Sequence, residues 1–301
     1  RMAGRMWADL ISSGLLAQVH DWQKKKKAGD RIANKAAKVD RTATEKKVLN
    51  EKIFTMETDE SDIRKLDRYV SLLLAWHCMP TLLHMKPANL IQVEKKRVSS
   101  IKQLLAIFEE YANLFSCSCS CLFESKRNLF LLIYNRQMLL ELLADKQIRN
   151  YLSSCGYDLA DGSLDNVLDK WKRRLADYFK YGADSISCQA PGYRQTPAAG
   201  AFPHEIGLLL GYPLKDVKAY IENSGKNYLL SGYWKVYHDK EKADRIFEAY
   251  TEARRLALEL LRSGGRLRDI YSEKSLFRNN QIMVKPNGPL PHYIGERGLK
   301  Q

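Results

Sequence analysis

Apolar positions recur at helical spacing along most of this chain, interrupted by a few short runs that read as strands. Over 63–83 they fall at Ile63, Leu66, Tyr69, Val70, Leu73, Leu74 and Cys78, which predicts a helix that Pro80 ends or kinks. Residues 89–93 (NLIQV) read as a short strand. A helix is expected over 100–114, with Ile101, Leu104, Leu105, Phe108 and Ala112 on one face. Residues 115–124 and 128–135 read as a hairpin turning at Ser125, Lys126 and Arg127. Residues 137–153 read as one helix that stops near Cys155 and Gly156. An amphipathic helix over 164–181 turns Leu164, Val167, Leu168, Trp171, Leu175 and Tyr178 inward. Two short helices follow at 203–210 and 213–222, each opened by proline and closed by Gly211 or Gly225. Residues 232–237 read as extended, and Asp239 is expected to cap a helix over 240–262 that Gly264 and Gly265 end.

These elements predict an α+β fold: a small, mostly antiparallel sheet covered by helices, with a helical C-terminal half. The domain is expected over 56–264, opening at Met56 and the acidic METDESD, which caps a helix from about Asp62. Residues 1–55 read as a basic N-terminal extension, partly helical or disordered. It holds a short amphipathic stretch from Trp7 to Trp22 and the charge run Lys24 to Lys27. Residues 182–200 have no periodicity and read as a loop, and 265–301 as a poorly ordered tail.

Composition adds limits. The 301 residues are 45% hydrophobic and 28% charged, enough for one sizeable core with extensions. No apolar run approaches the roughly 20 residues of a membrane helix, and no signal peptide is readable. The expectation is a cytoplasmic protein whose six cysteines are reduced thiols. The net charge of +14 is concentrated in the flanks. Residues 1–66 hold 15 Lys/Arg against 10 Asp/Glu, and residues 265–301 hold 7 against 3. Solvated basic tails explain this, with nucleic-acid or protein interaction through those flanks as the alternative.

The densest chemistry lies in 202–237, FPHEIGLLLGYPLKDVKAYIENSGKNYLLSGYWKVY. His204 and Glu205 fall in the first turn of a short helix. There the dipole lowers a histidine's pKa and a carboxylate serves as cap. Glu222, Asn223, Lys226 and Asn227 surround a glycine turn, and a lysine with two amides suits a phosphate or carboxylate. Walker A glycine spacing is absent. In the alternating Gly232–Tyr237 run, Trp234 and Val236 are expected to face one way and Tyr233, Lys235 and Tyr237 the other. The two-residue joint of the helix pair and the mixed charge on its second helix argue against a DNA-reading helix-turn-helix. His77 and Cys78 are adjacent and point in different directions, so Cys78 reads as a buried thiol. Cys117, Cys119 and Cys121 alternate with serines. Three thiols along a strand do not converge on one metal, so they read as small core residues and no metal site is expected.

Two segments, His77 to Ile91 (HCMPTLLHMKPANLI) and the 202–237 block, resemble the bacterial family of domain of unknown function 3793, across about Leu66 to Leu261. Leu83 and His84 stand where members usually have a small residue. Leu229 and Leu230 stand at a common Cys or Lys position, which argues against a metal-binding cysteine there. The family has no established activity to carry over, its cofactor if any is unknown, and nothing in the residues matches a known reaction. What two polar motifs in one family predict is a pocket for a small anionic ligand or cofactor. It would join His77, Lys86 and Asn89 to His204, Glu205, Glu222, Asn223, Lys226, Asn227, Tyr233 and Lys235. A thiol-based redox or metal protein is the weaker alternative.

Overall fold

The computed structural model describes residues 62–159, 163–181 and 202–272. The N-terminal extension, the METDESD cap, the 182–200 loop, Cys188 and the tail beyond residue 272 lie outside the described residues.

The first helix, α1 (Asp62–Leu73), runs into a π-helical turn, Leu74–Cys78, and a four-residue α2 (Met79–Leu82) that begins with Pro80 near its N-terminus. The predicted continuous helix is therefore re-wound rather than ended at Pro80. Proline offers no N–H to Trp76, and the wider π turn absorbs the missing bond. The segment closes on His84, which adopts φ 57°, and the His84 ring bonds the Phe115 carbonyl at 2.7 Å.

Three strands follow: β1 (Ala88–Glu94), β2 (Ser118–Glu124) and β3 (Asn128–Tyr134). They form an antiparallel sheet in the order β1-β3-β2. β2 starts later than expected, because α3 (Ile101–Leu114) ends at Phe115 and Ser116 takes φ 55°. A bulge between Cys121 and Phe123 shifts the β2 register. At the hairpin turn, Ser125 Oγ accepts from the Asn128 amide at 2.9 Å.

The central strand decides the architecture. Every residue of β3 after Asn128 is buried, and alternate side chains enter different cores. Leu129, Leu131 and Ile133 join α1, α3, the π turn, α9 (Lys240–Arg262) and α10 (Leu267–Ser272). Phe130, Leu132 and Tyr134 join α4 (Arg136–Ala144), α5 (Lys146–Ser154), α6 (Leu164–Tyr181) and α7 (Ile206–Leu209), together with Val217 of α8 (Leu214–Glu222). The sheet is thus the middle layer of three, a small antiparallel sheet covered by helices as the α+β reading expected.

Four further expectations shift. The single helix over 137–153 is split at Asp145, whose carboxylate accepts from the Gln147 and Ile148 amides at 2.8 and 3.0 Å and starts α5. Asp239 precedes α9 at φ 50° without a side-chain cap bond. The run 232–237 is a turn between two short strands, β4 (Leu230–Ser231) and β5 (Lys235–Val236). The folded unit also continues past 264: Leu267 and Ile270 of α10 are buried in the first core.

Candidate functional site

The short strands β4 and β5 bring Tyr233 and Trp234 together at a turn, so both are buried, against the expected alternation. Gly232 makes this possible, since a Cβ there would lie 2.1 Å from the Phe247 ring. The Tyr233 ring packs edge-on to Tyr250, and its hydroxyl meets Thr251 Oγ1 at 3.2 Å. It is a core residue rather than a pocket-facing one. Trp234 donates to Asp216 Oδ2 at 2.8 Å and stacks on Tyr212. Asp216 Oδ1 also accepts from the backbone amides of Tyr237 and His238, at 2.9 and 3.0 Å. This buried carboxylate ties α8 to β5, a role that the sequence reading did not assign. Its signal was the helical period, which puts Asp216 and Val217 on the inner face of α8.

Glu205 is buried as well, but it does not cap α7. It pairs with Arg174 of α6 and accepts from the Tyr157 hydroxyl at 2.9 Å. The charge and the phenol together satisfy the carboxylate. His204 sits in the turn before α7, its ring 5.0 Å from Phe202 and 5.3 Å from Tyr220. Burial, with the positive charge of Arg174, lowers its pKa. The expected direction holds, but burial and Arg174, not the dipole of this four-residue helix, account for it.

Tyr220 is the meeting point for the next group. The Lys235 ammonium lies 5.7 Å from the Tyr220 ring and 5.0 Å from the Tyr228 ring, and it donates to the Gly225 carbonyl at 2.7 Å. Burial lowers its pKa. The Tyr237 hydroxyl is shielded from solvent and makes no hydrogen bond. Burial pushes it up to about 12, aided by Tyr220, Asp216 and Tyr228. Around the turn after α8, Asn223 donates to the Ala219 carbonyl at 2.8 Å and accepts from Asn227 at 3.4 Å. Those two amides are spent on local bonds, while Glu222 and Lys226 are exposed.

The two motif segments touch at a different tyrosine. Lys86 Nζ lies 5.7 Å from the Tyr212 ring, and a Cβ on Gly211 would come within 2.7 Å of Pro87. Asn89, on β1, accepts from the Thr81 hydroxyl at 3.3 Å, and His77 is half-buried on the π turn. The nominated residues therefore divide. Lys86 gathers at Tyr212, His204 and Lys235 gather at Tyr220, Glu205 joins α6, and Tyr233 joins the core. A cavity of about 110 Å³, lined by Leu140, Leu143, Ala144, Arg149 and Leu159, contains none of them.

The thiols sit in apolar surroundings. Cys78, Cys117, Cys119, Cys121 and Cys155 are free, and burial raises the pKa of each. Cys117 precedes β2 and bonds the Thr81 carbonyl at 3.7 Å, while Cys119 and Cys121 pack against the first core. Among the described residues, no three His, Cys, Asp or Glu side chains form a group able to hold a metal. No helix among them is long and apolar enough to cross a membrane.

The fold defines an α+β domain whose two polar motif segments meet across buried aromatic rings. The chain belongs to the family described as Protein of unknown function (DUF3793), which it matches over residues 74–271. No curated protein and no solved structure matches it.

Proposed function

We propose that this protein is a cytoplasmic binder of a small oxyanion, a phosphate or carboxylate group, held at the Tyr220, Tyr228, Lys235 and Tyr237 cluster. The observation that carries the reading is an excess of donors. The Tyr237 hydroxyl has no acceptor, and Lys235 uses one of its three N–H groups on the Gly225 carbonyl. A buried hydroxyl without a partner costs about 1–3 kcal/mol, so its retention asks for a ligand acceptor. His204, its ring tilted against Tyr220 at 5.3 Å, borders the same cluster, and burial together with the charge of Arg174 lowers its pKa. The free thiols in the described part of the chain support a reducing compartment.

Thermal denaturation of the full chain with phosphate, sulfate and small carboxylates tests the reading. At least one oxyanion is expected to raise the Tm of the wild type at millimolar concentration. Tyr237→Phe is expected to lose that response, yet to be about 1 kcal/mol more stable without ligand, because it deletes an unsatisfied hydroxyl. A response unchanged in both Tyr237→Phe and Lys235→Met, or no response to any anion, removes the proposal.

A further inference from the structure

Lys86 is a buried cation that the anion site does not use. Only 4% of the residue is exposed. Among the described residues no carboxylate pairs with it and no acceptor bonds it; its ammonium lies 5.7 Å from the Tyr212 ring. Its backbone is held from both sides. The Met85 carbonyl accepts from the Tyr250 hydroxyl at 3.3 Å, and the Pro87 carbonyl from the Asn135 amide at 2.8 Å. Gly211 packs against Lys86 and Pro87, and its φ of +82° admits a side chain only with strain. A lysine placed this rigidly, in apolar surroundings and without a counter-ion, has the environment of a nucleophilic amine.

We infer that Lys86 is a carbonyl-trapping amine that forms an imine with a small aldehyde or 2-keto compound. The Nζ lone pair attacks the carbonyl carbon, and a proton passes from nitrogen to oxygen to give a carbinolamine. The hydroxyl leaves as water, so one amine and one carbonyl become one C=N bond and one H₂O. Burial lowers the lysine's pKa to about 7, which leaves a large share of the amine neutral near neutral pH. The titratable groups facing it are the Cys78 thiol and the Tyr212 phenol. Burial raises both, so both stay uncharged over this range and the amine titrates against neutral neighbours. With so little exposure, only small carbonyl compounds are expected to reach it.

The test is reductive trapping on the full chain. The protein is incubated at pH 7 with acetaldehyde, glyoxylate or pyruvate plus borohydride, and adducts are mapped by peptide mass spectrometry. At pH 7 an ordinary exposed lysine is neutral in only about one molecule in 10³. Lys86 is therefore expected to label at least about tenfold faster than exposed Lys215 or Lys226, with the ratio shrinking as the pH rises towards 10. Lys86→Gln is expected to lose that adduct while still folding cooperatively. Labelling of Lys86 no faster than of the exposed lysines, or no labelling there in the wild type, overturns the inference whatever the variant does. Either result leaves the oxyanion response of Tyr237→Phe untouched.

Discussion

Replacing Lys86 with methionine should make this protein more stable at neutral pH, a direction opposite to most core substitutions. The pKa of Lys86 is about 7 in the fold against 10.5 for a free lysine. Between those values the unfolded chain binds a proton that the folded chain has released, so stability rises with pH across that window and is lowest below about 7. At pH 7 the mismatch amounts to about 4 kcal/mol, and about 3 kcal/mol of it is regained by pH 9.5. Methionine keeps the unbranched stem and removes the charge. Lys86→Met is therefore expected to gain about 4 kcal/mol at pH 7, less up to about 1.5 kcal/mol for imperfect repacking. Urea denaturation at several pH values from 6.5 to 9.5 reads both quantities. The wild type should steepen towards high pH, and the difference between the two proteins should shrink along the same curve. A variant less stable than wild type at pH 7, with parallel pH profiles, would refute the uncompensated burial of this amine.

Glu205→Gln leaves Arg174 without its carboxylate and should cost about 3–5 kcal/mol in urea denaturation, since removing one partner of a buried pair strands the other. Asp216→Ala strands the Trp234 indole N–H and the Tyr237 amide; a loss of about 3 kcal/mol and a changed tryptophan emission are expected. Gly232→Ala puts a methyl carbon 2.1 Å from the Phe247 ring, so it should unfold at a lower Tm than Gly264→Ala, where only the backbone angle objects. Equal Tm values for those two alanine variants would show that the turn yields freely.

Much of the fold was legible because two physical rules repeat along the chain. Helical spacing located α3 and α6, and the turn at Ser125, Lys126 and Arg127 located the β2–β3 hairpin; the burial of β3 on both faces came only with its partners in space. The boundaries were less legible where a single side chain decides them. Asp145 splits a helix by bonding amides that its own sequence neighbours present. The π turn before Pro80 depends on how the missing proline donor is absorbed, which spacing alone does not state. The polar residues of the 202–237 block were visible, but which bonds they spend within the block and which partners they draw from elsewhere was not. Glu205 finds Arg174 and Tyr157, from residues 31 and 48 positions away. Tyr220 and Tyr228 read as ordinary aromatics until folding set them around Lys235, with Tyr237 close enough to both for their charges to bear on its hydroxyl. Asp216 looked like one charge on a mixed surface helix, and tertiary contacts with β5 made it a buried hub.

The most direct measurement is an anomalous diffraction map from crystals of the full chain soaked in selenate. The donor excess predicts a selenium peak whose oxygens lie within hydrogen-bonding distance, about 3 Å, of Tyr237 Oη and Lys235 Nζ. A map with no density at that ledge, while selenate occupies other basic surfaces, would contradict it.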